Sequence, residues 1–185
     1  MHADPMDAER SVLVLVDYQG RLMPAIDGGA RVVEQGVRLG RAAQVLGVPV
    51  IGTEQNPRGL GPNDAAIAAL CGRTLAKMHF DACVDGLLDA VHTARAPGPT
   101  DVVVAGCEAH VCLLQTALGL LRAGLRVWVP ADACGSRLAS SHALAMQRLR
   151  EAGATVVNVE MVAFEWLHGC GHARFREVLP LLKAP

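Results

Sequence analysis

The sequence predicts an α/β protein, a three-layer α/β/α sandwich around a six-stranded, mostly parallel sheet. Three observations carry this reading. Short β-branched runs alternate with longer Ala- and Leu-rich runs along all 185 residues. No tight hairpin turns join the strand-like runs, so consecutive strands pair in parallel through right-handed crossovers. The strand runs are continuously apolar rather than alternating, which marks a sheet covered on both faces.

Taken in order, residues 12–16 form the first strand, and residues 31–46 follow with helical spacing at Val33, Val37, Ala42, Val45 and Leu46. Val48-Pro-Val-Ile51 is the second strand, its proline near the start, where a missing N–H is tolerated. Residues 64–70 read as a short helix, 73–78 as the third strand and 83–92 as a helix, and Ala96-Pro-Gly-Pro99 is a break. The fourth strand, 102–105, leads into an apolar helix over 111–123 that Gly124 ends. Residues 125–129 are the fifth strand. A helix over 140–152 follows, capped by Ser140 or Ser141 and stopped by Gly153. Residues 154–159 are the sixth strand, and two short helices near 161–167 and 172–182 close the chain.

Length and composition exclude several classes. A chain of 185 residues is read as one domain, 1–185. A domain of that size buries roughly 70% of its unfolded surface without help from metals or disulfides. Lys and Arg number 17 against 18 Asp and Glu, with no basic stripe, which argues against a nucleic-acid partner. No apolar run approaches the roughly 20 residues that span a bilayer. Met1 to Arg10 is polar and carries Asp4, Asp7 and Glu9, unlike a signal peptide, so a cytoplasmic protein is expected. The six cysteines, at 71, 83, 107, 112, 134 and 170, form no CxxC pair and read as free thiols in a reducing compartment.

Ligands of such sheets bind beyond the carboxyl ends of the strands, so those positions are the ones to weigh. Asp17 follows the first strand. A partly desolvated carboxylate there suits general-base work, and a loop-bonding or capping Asp is the plain alternative. Lys77 ends the third strand, either as a buried cation or as an ordinary exposed lysine. Cys112 lies in the first turn of the helix after the fourth strand. Unpaired N–H groups and the helix dipole there favour a thiolate and are placed to receive an oxyanion. Cys71, Cys83, Cys107 and Cys134 read as inert small hydrophobes. His168-Gly-Cys170-Gly-His172 offers three potential metal ligands, but its i, i+2, i+4 spacing is not that of a zinc site. Asp27-Gly28-Gly29 lacks the G-x-G-x-x-G spacing and lies too far from the first strand for a dinucleotide. No metal and no cofactor are expected.

These strand-end residues sit in segments that resemble the isochorismatase-like cysteine hydrolase family. They are Leu13-Val-Leu-Val-Asp17-Tyr-Gln19, Lys77-Met-His-Phe80, Gly106-Cys-Glu-Ala-His-Val-Cys112-Leu-Leu-Gln-Thr-Ala117, Asp132-Ala-Cys-Gly-Ser-Arg137 and the stretch 152–165. The resemblance runs in order over nearly the whole chain. Thr53-Glu-Gln55-Asn-Pro-Arg-Gly-Leu-Gly-Pro62 and Phe175-Arg-Glu-Val-Leu-Pro-Leu-Leu-Lys183 are most similar to the isochorismatase domain-containing and YcaC-related branch. The resemblance implies an isochorismatase-like, Rossmann-like fold. It implies a triad of Asp17, Lys77 and Cys112, a cis peptide before Glu108, and an oxyanion hole from the N–H groups of Glu108 and Cys112. In these roles Asp17 takes the thiol proton, Lys77 orients Asp17 and helps hold the thiolate, and Cys112 attacks an amide carbonyl of a small molecule.

Two departures shape the expectation. Nicotinamidases of the family carry Asp-x-His…His after the second strand, and the corresponding stretch here has no histidine. That argues against metal and against nicotinamide. The cysteine, often absent from true isochorismatases, favours C–N cleavage. Ala109 stands where many relatives have Thr. Gln19, Leu22, Glu54, Gln55, Phe80 and Trp166 are expected near the substrate. Gln19 and Gln55 are suited to bond an amide, and Phe80 to offer an apolar face. The resemblance and the low charge, 19%, also point to a homo-oligomer. Two other functions stay open: a non-catalytic binding or scaffolding protein that keeps the fold, and a thiol-redox protein using Cys107 and Cys112.

Overall fold

The computed structural model describes residues 4–95 and 101–183. The expected break at Ala96-Pro-Gly-Pro99 lies outside them. Strands β1 (Ser11–Val16), β2 (Val50–Gln55), β3 (Arg73–Lys77), β4 (Asp101–Cys107), β5 (Arg126–Pro130), β6 (Cys134–Gly135) and β7 (Thr155–Val157) form one sheet. Its order is β3-β2-β1-β4-β5-β7, with β6 paired to the end of β4, and every pairing is parallel. The sheet has one strand more than expected. β6 is two residues long, too short for any hydrophobic period, and only its pairing of Gly106 with Cys134 and Cys107 with Gly135 defines it.

The helices are α1 (Gly29–Val45), α2 (Pro57–Leu60), α3 (Ala65–Ala68), α4 (Leu87–Ala94), α5 (Leu114–Arg122), α6 (Ala139–Glu151), α7 (Val159–Leu167) and α8 (Phe175–Leu182). From β1 the chain winds through α1 to β2 and on to β3. From β4 it winds the opposite way, through α5 to β5. Right-handed crossovers therefore put α1 and α5 on opposite faces. α7 and α8 pack with α1, and α6 packs with α5. β1 and β4, the central strands, are buried at every residue. α1 buries Val32, Gly36, Leu39 and Ala43, one stripe of a 3.6-residue repeat. Gly36 is required there, because a Cβ would lie 2.8 Å from the Tyr18 hydroxyl, which donates to Ala133 O at 2.5 Å.

Several boundaries differ from expectation. α6 is capped by Leu138, with Ser140 and Ser141 inside the helix, so neither serine supplies the cap. α4 starts only at Leu87, because Asp81 accepts from Cys83 N at 2.9 Å and closes a turn that Gly86, at φ 95°, ends. α8 starts at Phe175 rather than at residue 172. Asn158 caps α7 through Met161 N at 2.7 Å, which cuts the last strand back to Val157.

Candidate active site

Parallel pairing sends the carboxyl ends of β1, β2, β3 and β4 to the same edge of the sheet. Between β1 and β4 the winding reverses, which opens the crevice where such folds bind ligands. Asp17 leaves β1 there with φ 52°, a left-handed backbone uncommon for a non-glycine residue, and is fully buried. Its Oδ1 accepts the Thr53 hydroxyl at 2.6 Å, and its Oδ2 accepts Lys77 Nζ at 2.7 Å. Both side chains of that ion pair are 0% exposed. Lys77 Nζ also donates to Gln55 Oε1 at 2.7 Å and, more weakly, to His79 O at 3.4 Å. The β2–β3 register, which pairs Gln55 with Lys77, makes this contact.

Cys112 enters from the other side of the crevice. β4 ends in a cis peptide between Cys107 and Glu108, and one turn of π-helix, Ala109–Leu113, carries the cysteine before α5 begins. Gly106 precedes this turn at φ 136°, where a Cβ would lie 2.0 Å from Val16 O, so only glycine fits. The turn is tied down at two side chains. Glu108 Oε2 accepts Arg137 N at 3.1 Å and Arg137 Nε at 2.9 Å, and His110 Nδ1 lies 2.9 Å from Ser136 Oγ. Cys112 is 6% exposed, and its Sγ lies 3.9 Å from Gln55 Oε1. Burial, then the Asp17 charge, push its thiol up to about 12, against the lowering pull of Lys77. This direction runs against the thiolate expected from the position of Cys112 at the head of a helix: desolvation of the sulfur favours the protonated thiol.

The remaining expected residues divide. Gln55 stands inside the cluster. Gln19 is buried, but its amide is committed to main chain: Nε2 donates to Gln55 O at 3.0 Å and Gly61 O at 2.6 Å, and Oε1 accepts from Gln55 N at 2.9 Å. It braces β2 and has no N–H left to donate, so it cannot grip an amide with donor and acceptor together. Glu54 accepts from Asn63 N at 2.9 Å, Leu22 packs against the core, and Phe80 is 49% exposed. Trp166 is a correction. Its Nε1 donates to Ser11 Oγ at 3.0 Å at the start of β1, the far edge of the sheet, so it cannot line this crevice. Thr53 received no role from its sequence position, and only the register that sets it opposite Val16 explains its bond to Asp17. Among the described residues no group of three His, Cys, Asp or Glu side chains is placed to hold a metal. His168, Cys170 and His172 are exposed, and His172 Nδ1 accepts from Arg174 N at 3.0 Å.

Fold and crevice together define a doubly wound α/β protein with its reactive groups at the point where strand order reverses. The isochorismatase domain model matches residues 11–161, and the chain belongs to the isochorismatase family. It is 33% identical to isochorismatase domain-containing protein 2 of Rattus norvegicus, over 96% of this chain and 83% of that protein. Among solved structures it is similar to the MAR1 ribonuclease of Caenorhabditis elegans, with a TM-score of 0.91 and 30% identity over 98% of this chain and 94% of the other. It also shares its fold with the Escherichia coli YcaC gene product, an octameric hydrolase of unknown specificity, at a TM-score of 0.86 and 22% identity over 97% of each chain.

Proposed function

We propose that this protein is a cysteine hydrolase that cleaves the C–N bond of a small amide, with Asp17, Lys77 and Cys112 as its triad. The observation that carries the reading is the fully buried Asp17–Lys77 pair beside a buried thiol at the sheet's switch point. Desolvating two charges is costly, and an apolar pair of the same volume is often as stable, so a solely structural role explains the pair poorly. In the proposed cycle the Cys112 proton moves to Asp17 as sulfur bonds the amide carbonyl carbon. The backbone N–H groups of Glu108 and Cys112 take the oxyanion. The C–N bond then breaks, Asp17 returns the proton to nitrogen, and ammonia or an amine leaves. Water, deprotonated by Asp17, hydrolyses the thioester to a carboxylic acid and restores the thiol. Lys77 keeps the Asp17 carboxylate oriented and stabilises the anionic sulfur as it forms.

No step requires a metal, and dialysis against a chelator should leave the rate unchanged. The C. elegans relative is described as a ribonuclease, but a net charge of −1 gives this chain no general attraction for a polyanion. The test is a screen of small amides for ammonia release beside a single-stranded RNA control, with Cys112→Ala as blank. Ammonia released by the wild type alone supports the reading, and RNA cleavage without amide hydrolysis overturns it. The six free thiols fit a reducing, cytoplasmic setting. We further propose a homo-oligomer. Leu138, Leu144, Met161 and Phe164 are exposed on α6, α7 and the turn before α6, which is apolar surface that association would cover. Light scattering at micromolar concentration should give a multiple of 19.4 kDa.

A further inference from the structure

Every hydrogen-bonding group around Gln55 fixes which way its amide points. Lysine only donates, so the side-chain atom 2.7 Å from Lys77 Nζ must be the oxygen. A backbone carbonyl only accepts, so the atom 2.8 Å from Met78 O must be the NH2 group. The two contacts agree, and a flipped amide would set donor against donor at one end and acceptor against acceptor at the other. The main chain of Gln55 is held as firmly, with both its N–H and its carbonyl bonded to the Gln19 amide. Gln55 is 9% exposed and cannot turn over to suit a ligand.

An amide oxygen has two lone pairs. Lys77 takes one, and the other accepts the Cys112 thiol at 3.9 Å in the resting protein and is freed toward the substrate once that proton leaves the sulfur. The side chains that act on the sulfur are Gln55 through this oxygen, the Asp17 carboxylate and the Lys77 ammonium. The ammonium's N–H groups are already directed to Asp17, Gln55 and His79. An atom bonded to the carbon under attack meets acceptors on this side, so the favourable atom there is one that carries a hydrogen.

We infer that Gln55 is a specificity-determining acceptor for the N–H of the scissile bond, and that it selects amides bearing an N–H over esters of the same shape. This rests on the hydrolase reading for its biological meaning. In an ester the bridging oxygen faces the Gln55 oxygen with no proton between them, so one hydrogen bond is lost and two lone pairs are opposed. Sites built to bond an N–H reject analogues that lack it for this reason.

The test needs no turnover. p-Nitrophenyl N-ethylcarbamate and p-nitrophenyl ethyl carbonate differ only in N–H against O, and in both that atom is bonded to the carbonyl carbon that the thiol attacks, with nitrophenol leaving. Each is allowed to acylate the intact protein, and mass spectrometry of peptides gives the rate at Cys112 divided by the rate at exposed Cys170, which cancels intrinsic reactivity. In the wild type the normalised rate should favour the carbamate about fivefold, the factor one neutral hydrogen bond is worth. Gln55→Met should bring the preference to about one. Gln55→Glu, which keeps an acceptor toward both Lys77 and the reagent, should retain it even where both absolute rates fall. Equal normalised rates in the wild type, or an undiminished preference in Gln55→Met, would overturn the inference. A preference that obeys these rules beside a failed amide screen would remove the hydrolase reading and leave the acceptor site standing.

Discussion

At opposite edges of the sheet, two aspartates are buried against a cation, and the two pairs are built differently. Asp101 opens β4, and Arg126 grips it with two parallel contacts of 2.7 Å, from Nε to Oδ1 and from Nη2 to Oδ2. Trp128 Nε1 adds a third at 2.7 Å, and the guanidinium lies 5.7 Å over that indole. The geometry is bidentate and its outer side reaches solvent, since the Arg126 side chain is 19% exposed. Such a pair staples β4 to β5. Asp17 receives one contact from a lysine, one from a threonine, and shares its crevice with a thiol. Lys77 in turn divides its three donors among three acceptors. Burial is common to both pairs. What separates them is the planar fork at one edge, against a point charge shared with a nucleophile at the other.

The comparison is most sharply tested by removing reactive groups. Cys112→Ala should abolish amide hydrolysis while shifting the melting temperature only modestly, because little buried volume is lost. Hydrolysis at the wild-type rate in that variant would remove Cys112 from the chemistry. Lys77→Met should also reduce turnover below detection. Asp17 would be left as an unpaired charge with no exposed surface, a loss of about 3–5 kcal/mol, measurable by urea denaturation. Arg126→Met should do the reverse. It should cost about 2 kcal/mol, since Trp128 still bonds Asp101, and leave turnover per folded molecule unchanged.

The thiols set the alkaline limit. Burial pushes Cys112 and Cys134 up to about 12 from an ordinary value of 9.0. The folded state thus keeps protons that the unfolded chain releases. Their contribution is intact below pH 9 and is lost as the pH rises from 9 toward 12, by up to about 1.4 kcal/mol per pH unit for each thiol. Denaturant midpoints across that range should fall in the wild type and fall less in Cys134→Ala. Alkylation of Cys112 should climb through the same window without levelling off near pH 9. The smallest effect belongs to the surface. Arg122, 67% exposed in its pair with Asp81, should change stability by no more than about 1 kcal/mol when replaced by Ala.

Much of this was legible in the chain itself. Continuous apolar runs at β1 and β4 mark strands buried on both faces, and the order of elements implies parallel pairing, because these are local patterns that chain connectivity can only wind one way. Parallel pairing then sets Asp17, Lys77 and the turn bearing Cys112 at one edge before any coordinate is known. Other features have no local cause. β6 is defined by its partner, and Trp166 belongs to the far edge because α7 turns back along the sheet to Ser11. The roles of Thr53 and Gln55 follow from register, which brings one opposite Val16 and the other opposite Lys77. The burial of Cys112 came from tertiary structure alone. A turn at the head of a helix favours a thiolate in any sequence, but how much water the fold removes from the sulfur depends on every element packed around it, and here that loss pushes the thiol up against the lowering pull of the nearby lysine.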